Sequence, residues 1–217
     1  MSDIFAEVDE DLRADRAQRL LKKYGGLLVA AVVAVVAGVG GYQAWRAYDA
    51  RETARVAGIF LEAMKGAAAG AGGQRDLALA EFAKVASEGS AGYRALARLR
   101  EAAIRFDAGE RDAALALWDK AAADSGADPL LRDLASLQWV WHQIDTGVPS
   151  VLRARLAPLT APDNAWRPLA EEAQALLDIR EGRKDAARDT LKRLSQDQTV
   201  PDGIRGRAGG LLERLGS

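Results

Sequence analysis

The stretch Gly109-Glu110-Arg111-Asp112-Ala113-Ala114-Leu115-Ala116-Leu117-Trp118-Asp119-Lys120-Ala121 decides the fold. After its glycine and polar opening it sets a small residue five positions on, a large one nine on and an apolar one twelve on: Ala114, Trp118 and Ala121. The frame recurs when the chain is aligned on Gly73, Gly109, Gly147 and Gly182, which are 36, 38 and 35 residues apart. Its first position holds Ala78, Ala114, Leu152 and Ala187, its second Phe82, Trp118, Leu156 and Leu191, and its third Val85, Ala121, Leu159 and Leu194. A period in the mid-thirties with this small, large, apolar order is the pattern of stacked helix pairs. One pair cannot bury both of its faces, so the small residue admits the neighbouring helix and the large one fills the gap beside it.

The first helices of the pairs agree with this reading. Leu99, Ala102, Ala103 and Phe106 match Leu137, Val140, Trp141 and Ile144, and then Ala175, Leu176 and Ile179, with Glu172 as the one break. Pro129, Pro168 and Pro201 punctuate the array near helix starts, where a missing amide proton costs little. Pro149, Pro158 and Pro162 crowd the third unit and predict a short second helix followed by an irregular loop. Ile204–Leu215 reads as a capping helix, and no long alternating β-branched run follows Val39. Trp118, Trp139, Trp141 and Trp166 fall on apolar stripes, which assigns them to the core before any ligand cage.

Upstream, Tyr24 to Trp45 carries no charge, and Leu27–Gly38 is built only of Leu, Val, Ala and Gly. As a helix, this run spans about 33 Å, enough for a hydrocarbon core of about 30 Å. Tyr24 at one end and Tyr42, Trp45 and Tyr48 at the other suit the headgroup zones. Arg13, Arg16, Arg19, Lys22 and Lys23 precede the span, and only Arg46, Arg51 and Arg55 follow it, a bias that predicts a cytosolic N-terminus. The acid-rich segment before it is unlike a cleaved signal's basic leader, so an uncleaved single-pass signal anchor is expected. Ala30, Ala34 and Gly38 recur every four residues, the spacing that allows a second membrane helix to approach. Ile4, Val8 and Leu12 predict a short amphipathic helix in the tail. Met64 is expected near the end of the helix leaving the membrane, with Gly66, Gly70, Gly72 and Gly73 breaking it. The organisation is thus a tail (1–23), an anchor (24–45) and an outer body (46–217). The fold class is all-α, a single N-terminal transmembrane helix followed by an α-solenoid of about four helix pairs and a C-terminal cap.

Composition narrows the chemistry. The 217 residues contain 30 basic and 31 acidic side chains, one histidine and no cysteine. That balance offers no general attraction for phosphate backbones, so nucleic acid is not an expected partner. Thiolate zinc, iron–sulfur and multi-histidine metal sites are excluded, and no cofactor is expected. The Gly/Ala-rich run 66–73 lacks the Lys-Ser/Thr ending of a phosphate loop. His142, the Glu171/Glu172 pair and scattered serines do not converge on a catalytic arrangement, so no enzyme or small-molecule substrate is expected.

The period and the Gly/Ala/aromatic spacing resemble tetratricopeptide repeats. Nearly the whole chain is similar to the YfgM-like family, the bacterial ancillary subunit of the SecYEG translocon. The resemblance is carried by Gly41-Tyr42-Gln43-Ala44-Trp45-Arg46, by the repeat from Tyr93-Arg94-Ala95-Leu96 to Trp118, and by the stretch from Trp166 through Gly182 and Ala187 to Pro201. It implies a single-pass protein of the bacterial inner membrane with a periplasmic domain, and as partners the SecYEG translocon and periplasmic folding factors. An envelope-assembly or cell-division scaffold would use the same solenoid. Counted with a turn one residue longer than the usual pattern, the open side of the first helices carries Arg100, Ile104, Asp107, Gln138, His142, Asp145, Ala173, Leu177 and Arg180. These are the candidate protein-binding groove, a mixture able to pair charges and offer apolar contact to an extended segment.

Overall fold

The computed structural model describes residues 3–68 and 72–216, with side chains from residue 22 onward except those of Leu28 and Gly72. Nine α-helices and one 3₁₀ turn occupy these residues, and no strand occurs among them. They are α1 (Asp3–Ala68), α2 (Gly72–Glu88), α3 (Ala91–Asp107), α4 (Arg111–Ala122), α5 (Pro129–Trp141), α6 (Pro149–Leu156), α7 (Arg167–Arg180), α8 (Lys184–Gln196) and α9 (Asp202–Gly216). By contacts the chain divides into two units, Met1–Ala54 and Arg55–Ser217.

The first unit lies within α1. Within Lys22–Ala68 this helix holds a stretch long and apolar enough to cross a membrane. Its large side chains have no protein cover: Leu27, Val29 and Val36 are 64–70% exposed. Uncovered valine and leucine over such a length suit lipid as the solvent. The residues before the apolar run are helical from Asp3, and α1 continues from them through that run without a break. The Ile4/Val8/Leu12 stripe lies outside the described side chains.

The second unit is the expected four pairs and a cap. The C-terminal part of α1 shares an apolar cluster with α2, Val56 and Ala63 packing with Ala78, Phe82 and Val85; α3 pairs with α4, α5 with α6, and α7 with α8, while α9 packs on α8 and α7. All twelve residues of the repeated frame are at most 1% exposed. They seed four apolar clusters, from Val56, Ala63 and Phe82 at one end to Leu191, Leu194 and Ile204 at the other. Trp118 is buried, and Trp139, Trp141 and Trp166 are half-buried against their clusters.

The aligned glycines do different jobs. Gly109 and Gly182 have φ of +83° and +77°, a conformation that side chains with a Cβ resist, and each ends a first helix. There the amide of Glu110 donates to the Arg105 carbonyl, and that of Arg183 to the Asp178 carbonyl. Gly73 instead lies inside α2. Gly66, expected to break the first helix, is within α1, which runs to Ala68. Glycine costs only about 1 kcal/mol in a helix interior, and Met64 and Ala67 on either side of it pack against the first cluster. Of the other expected breakers, Gly72 starts α2 and Gly70 lies outside the described residues. In the third pair α6 has only eight residues before a 3₁₀ turn at Ala157–Thr160, as its prolines predict. Asp128 caps α5 by accepting from the Leu130 amide at 2.8 Å, with Pro129 at the helix start.

Candidate functional site

Ala102 and Ala114 are fully buried, so α3 and α4 approach closely, and Trp118 is the one large side chain fully buried in their shared cluster, with Leu99, Phe106, Leu115, Leu117 and Trp139 half-buried against it. A cavity of about 290 Å³ remains between α3 and α5. Trp118 closes its bottom, Leu96, Leu99 and Ala103 form one wall and Leu134 the other, and Arg100, Gln138 and His142 supply its polar groups.

His142 is held firmly. Its ring stacks on the Trp118 indole at 4.5 Å with only 3° between the planes, and Phe106 closes from the side at 4.0 Å. Arg111, from the start of α4, donates to the His142 carbonyl at 2.8 Å and to Thr146 Oγ1 at 2.6 Å, which satisfies an acceptor at the C-terminal end of α5. Burial pushes the imidazole pKa below its ordinary value; Asp107 opposes the shift and Arg111 adds to it. The ring is therefore neutral at pH 7.

Arg100, Gln138 and His142 thus meet at one cavity. The other groove candidates are dispersed. Ile104 is half-buried against the first apolar cluster, and Asp107 and Asp145 are exposed at the end of α3 and in the α5–α6 loop. Arg180 is exposed but tied down, donating to the Ile144 carbonyl at 2.9 Å. Leu177 and Ala173 are not on an open side at all. Both are fully buried with Leu137, Val140, Leu152 and Leu156. The reason is that α7 is packed by α5, α6, α8 and α9, so it has no free face at those positions. In the anchor Ala30, Ala34 and Gly38 are exposed, and nothing lies within 4 Å of where a Gly38 Cβ would be.

Ion pairs escaped the spacing argument. Asp124 at the end of α4 accepts from Arg94 Nε at 2.6 Å and Nη2 at 3.0 Å, and from Arg98 at 2.9 Å. The Arg94 hydrogen bond, with its charge, holds the Asp124 carboxyl down at about 2. Glu172, the break in the apolar match, is 1% exposed and receives both arms of Arg207 from α9 at 2.8 and 2.7 Å. Its neighbour Glu171 takes Arg167 and Arg193, and Asp178 takes Arg153 and Arg183. The signal was present at Glu172: an acid at a core position demands a cation, although sequence spacing does not say which.

A family model described as tetratricopeptide repeat-like domain matches residues 18–198, which takes in the apolar run of α1 and all four pairs. Neither a curated protein nor a solved structure matches the chain significantly.

Proposed function

Because the chain belongs to the tetratricopeptide repeat-like domain family, we propose that it is a membrane-anchored interaction scaffold whose α3–α5 groove holds a protein segment. Domains of this kind are typically protein-interaction modules. The observation that carries the reading is the cavity over Trp118, where Arg100, Gln138 and His142 converge on an apolar floor. The remaining candidates, Ile104, Asp107, Asp145 and Arg180, would flank it, and Ala30, Ala34 and Gly38 would meet a partner's membrane helix.

The excess of Lys and Arg before the span supports a cytosolic tail (1–23), an inner-membrane anchor (24–45) and a periplasmic body (46–217). Likeness to the YfgM-like family supports the SecYEG translocon and periplasmic folding factors as partners, and secreted or membrane chains leaving the channel as clients. In-cell photocrosslinking from positions 100, 138 and 142 of the full chain tests this. Capture of channel subunits or folding factors is the expected result. Capture only of division or peptidoglycan proteins would replace it with an envelope-assembly scaffold.

A further inference from the structure

The arginines of α3 differ in one respect. Arg94 and Arg98 hold Asp124, and Arg105 holds Glu101 and Glu110. Arg100, on the same helix and exposed, makes no ion pair or hydrogen bond among the described residues, and it borders the cavity over Trp118. It is also the only ionised group on the cavity wall, since burial keeps His142 neutral and Gln138 carries no charge. Asp107 from α3 and Arg111 from α4 face His142 with opposite signs but do not line the cavity. A chain that pairs its other α3 guanidiniums and leaves this one open presents a site for an external carboxylate.

The cavity's size narrows the occupant. About 290 Å³ is at the bottom of the roughly 300–1,000 Å³ range of ligand pockets, which suits one large side chain and not a cofactor. Its floor is an indole and its walls are leucines, so that side chain is apolar. The Gln138 amide, also without a side-chain partner among the described residues, offers a donor and an acceptor to a peptide backbone.

We propose that the α3–α5 groove recognises an extended protein segment in which a bulky apolar residue is followed two positions later by Asp or Glu, so that both side chains leave one face of the segment, the apolar side chain seated over Trp118 and the carboxylate paired with Arg100. This rests on the groove being a binding surface and names what it selects. Affinity comes from burying the apolar side chain, and selection comes from the charge pair at the partly exposed rim.

The test uses the full chain in lipid nanodiscs and fluorescence anisotropy of a labelled Gly/Ser-rich decamer carrying Phe-Gly-Glu, against versions with Phe-Gly-Gln, Phe-Gly-Lys and Ala-Gly-Glu. The Phe-Gly-Glu peptide is expected to bind about tenfold tighter than Phe-Gly-Gln, the worth of a charge-assisted hydrogen bond, with Phe-Gly-Lys and Ala-Gly-Glu weaker still. Arg100→Glu should reverse the order, favouring Phe-Gly-Lys, with the melting temperature unchanged because Arg100 has no partner to lose. Equal binding of the Glu, Gln and Lys peptides, or an order that survives Arg100→Glu, overturns the proposal. So does a change in oligomeric mass on Arg100→Glu without peptide, which would make a second copy the occupant. If no peptide binds while positions 138 and 142 still crosslink to partners, the selectivity is wrong and the scaffold stands; if both fail, the groove is not a binding surface.

Discussion

In the cluster shared by α3 and α4 the fully buried side chains are Ala102, Ala114 and Trp118, with Leu99, Phe106, Leu115, Leu117 and Trp139 half-buried around them, whereas among α7, α8 and α9 the buried ones include Leu191, Leu194, Val200 and Ile204. Both seams obey the same frame of small, large and apolar positions. In the first, Trp118 is the one large side chain fully buried, and space is left over its face for His142 to stack and for a cavity to open. In the second, branched aliphatic chains interdigitate and the acids of α7 are turned inward and clamped, Glu171 by Arg167 and Arg193 and Glu172 by Arg207. One repeat pattern therefore yields an open seam or a closed one, depending on whether its large residue packs in every direction or only across two faces. The closed seam is the terminal one, where α9 has to stop the stack.

The sharpest way to break this comparison is Trp118→Ala. The change removes the floor of the open seam and should destabilise the full chain by about 3–5 kcal/mol in chemical denaturation. A midpoint within error of wild type would mean that Trp118 does not carry the seam. Arg207→Ala probes the closed seam and should cost less, about 1–3 kcal/mol, because it strands the buried Glu172 carboxylate while Arg207 itself is half-exposed. Replacing Glu172 and Arg207 together by Met should recover most of that loss, since a buried pair contributes little over well-packed apolar groups. A double variant as unstable as Arg207→Ala would show that the latch, not the stranded charge, holds α9.

The smallest effect is an acid scan of the open seam. His142 has a folded pKa below its unfolded one, so the unfolded state takes up its proton first, and stability should decline gently as pH falls below about 6.5. Asp124 also has a lowered folded pKa, so its contribution is complete above 3.8 and is lost as pH falls toward about 2. Thermal melts across pH 7.5 to 2.5 should show the shallow step vanish in His142→Gln and the acid step shrink in Asp124→Asn. Profiles unchanged by either substitution would refute the assignments.

Legibility varied with the kind of interaction. The twelve frame positions could be placed because a helix buries whatever recurs at its own period, and that requires no knowledge of the partner. The convergence of Arg100, Gln138 and His142 was readable for the same reason, as these share the outward side of two neighbouring first helices. Leu177 and Ala173 were misplaced because the same register on α7 is covered by α5 and α6. Glu172 stood out in the sequence as an irregularity, and its meaning appeared only with Arg207 beside it.

The sequence by itself determined that this chain is helical, that it stacks four pairs and a cap, and that one run is apolar enough for a bilayer. Each of these follows from periodicity or composition within a single segment. The tertiary structure decided which outward faces stay open, that Arg100 meets no carboxylate among the described residues and where a cavity survives. Those depend on how closely helices approach and how far long side chains reach across to residues 22 to 35 positions away, and no local pattern encodes those distances.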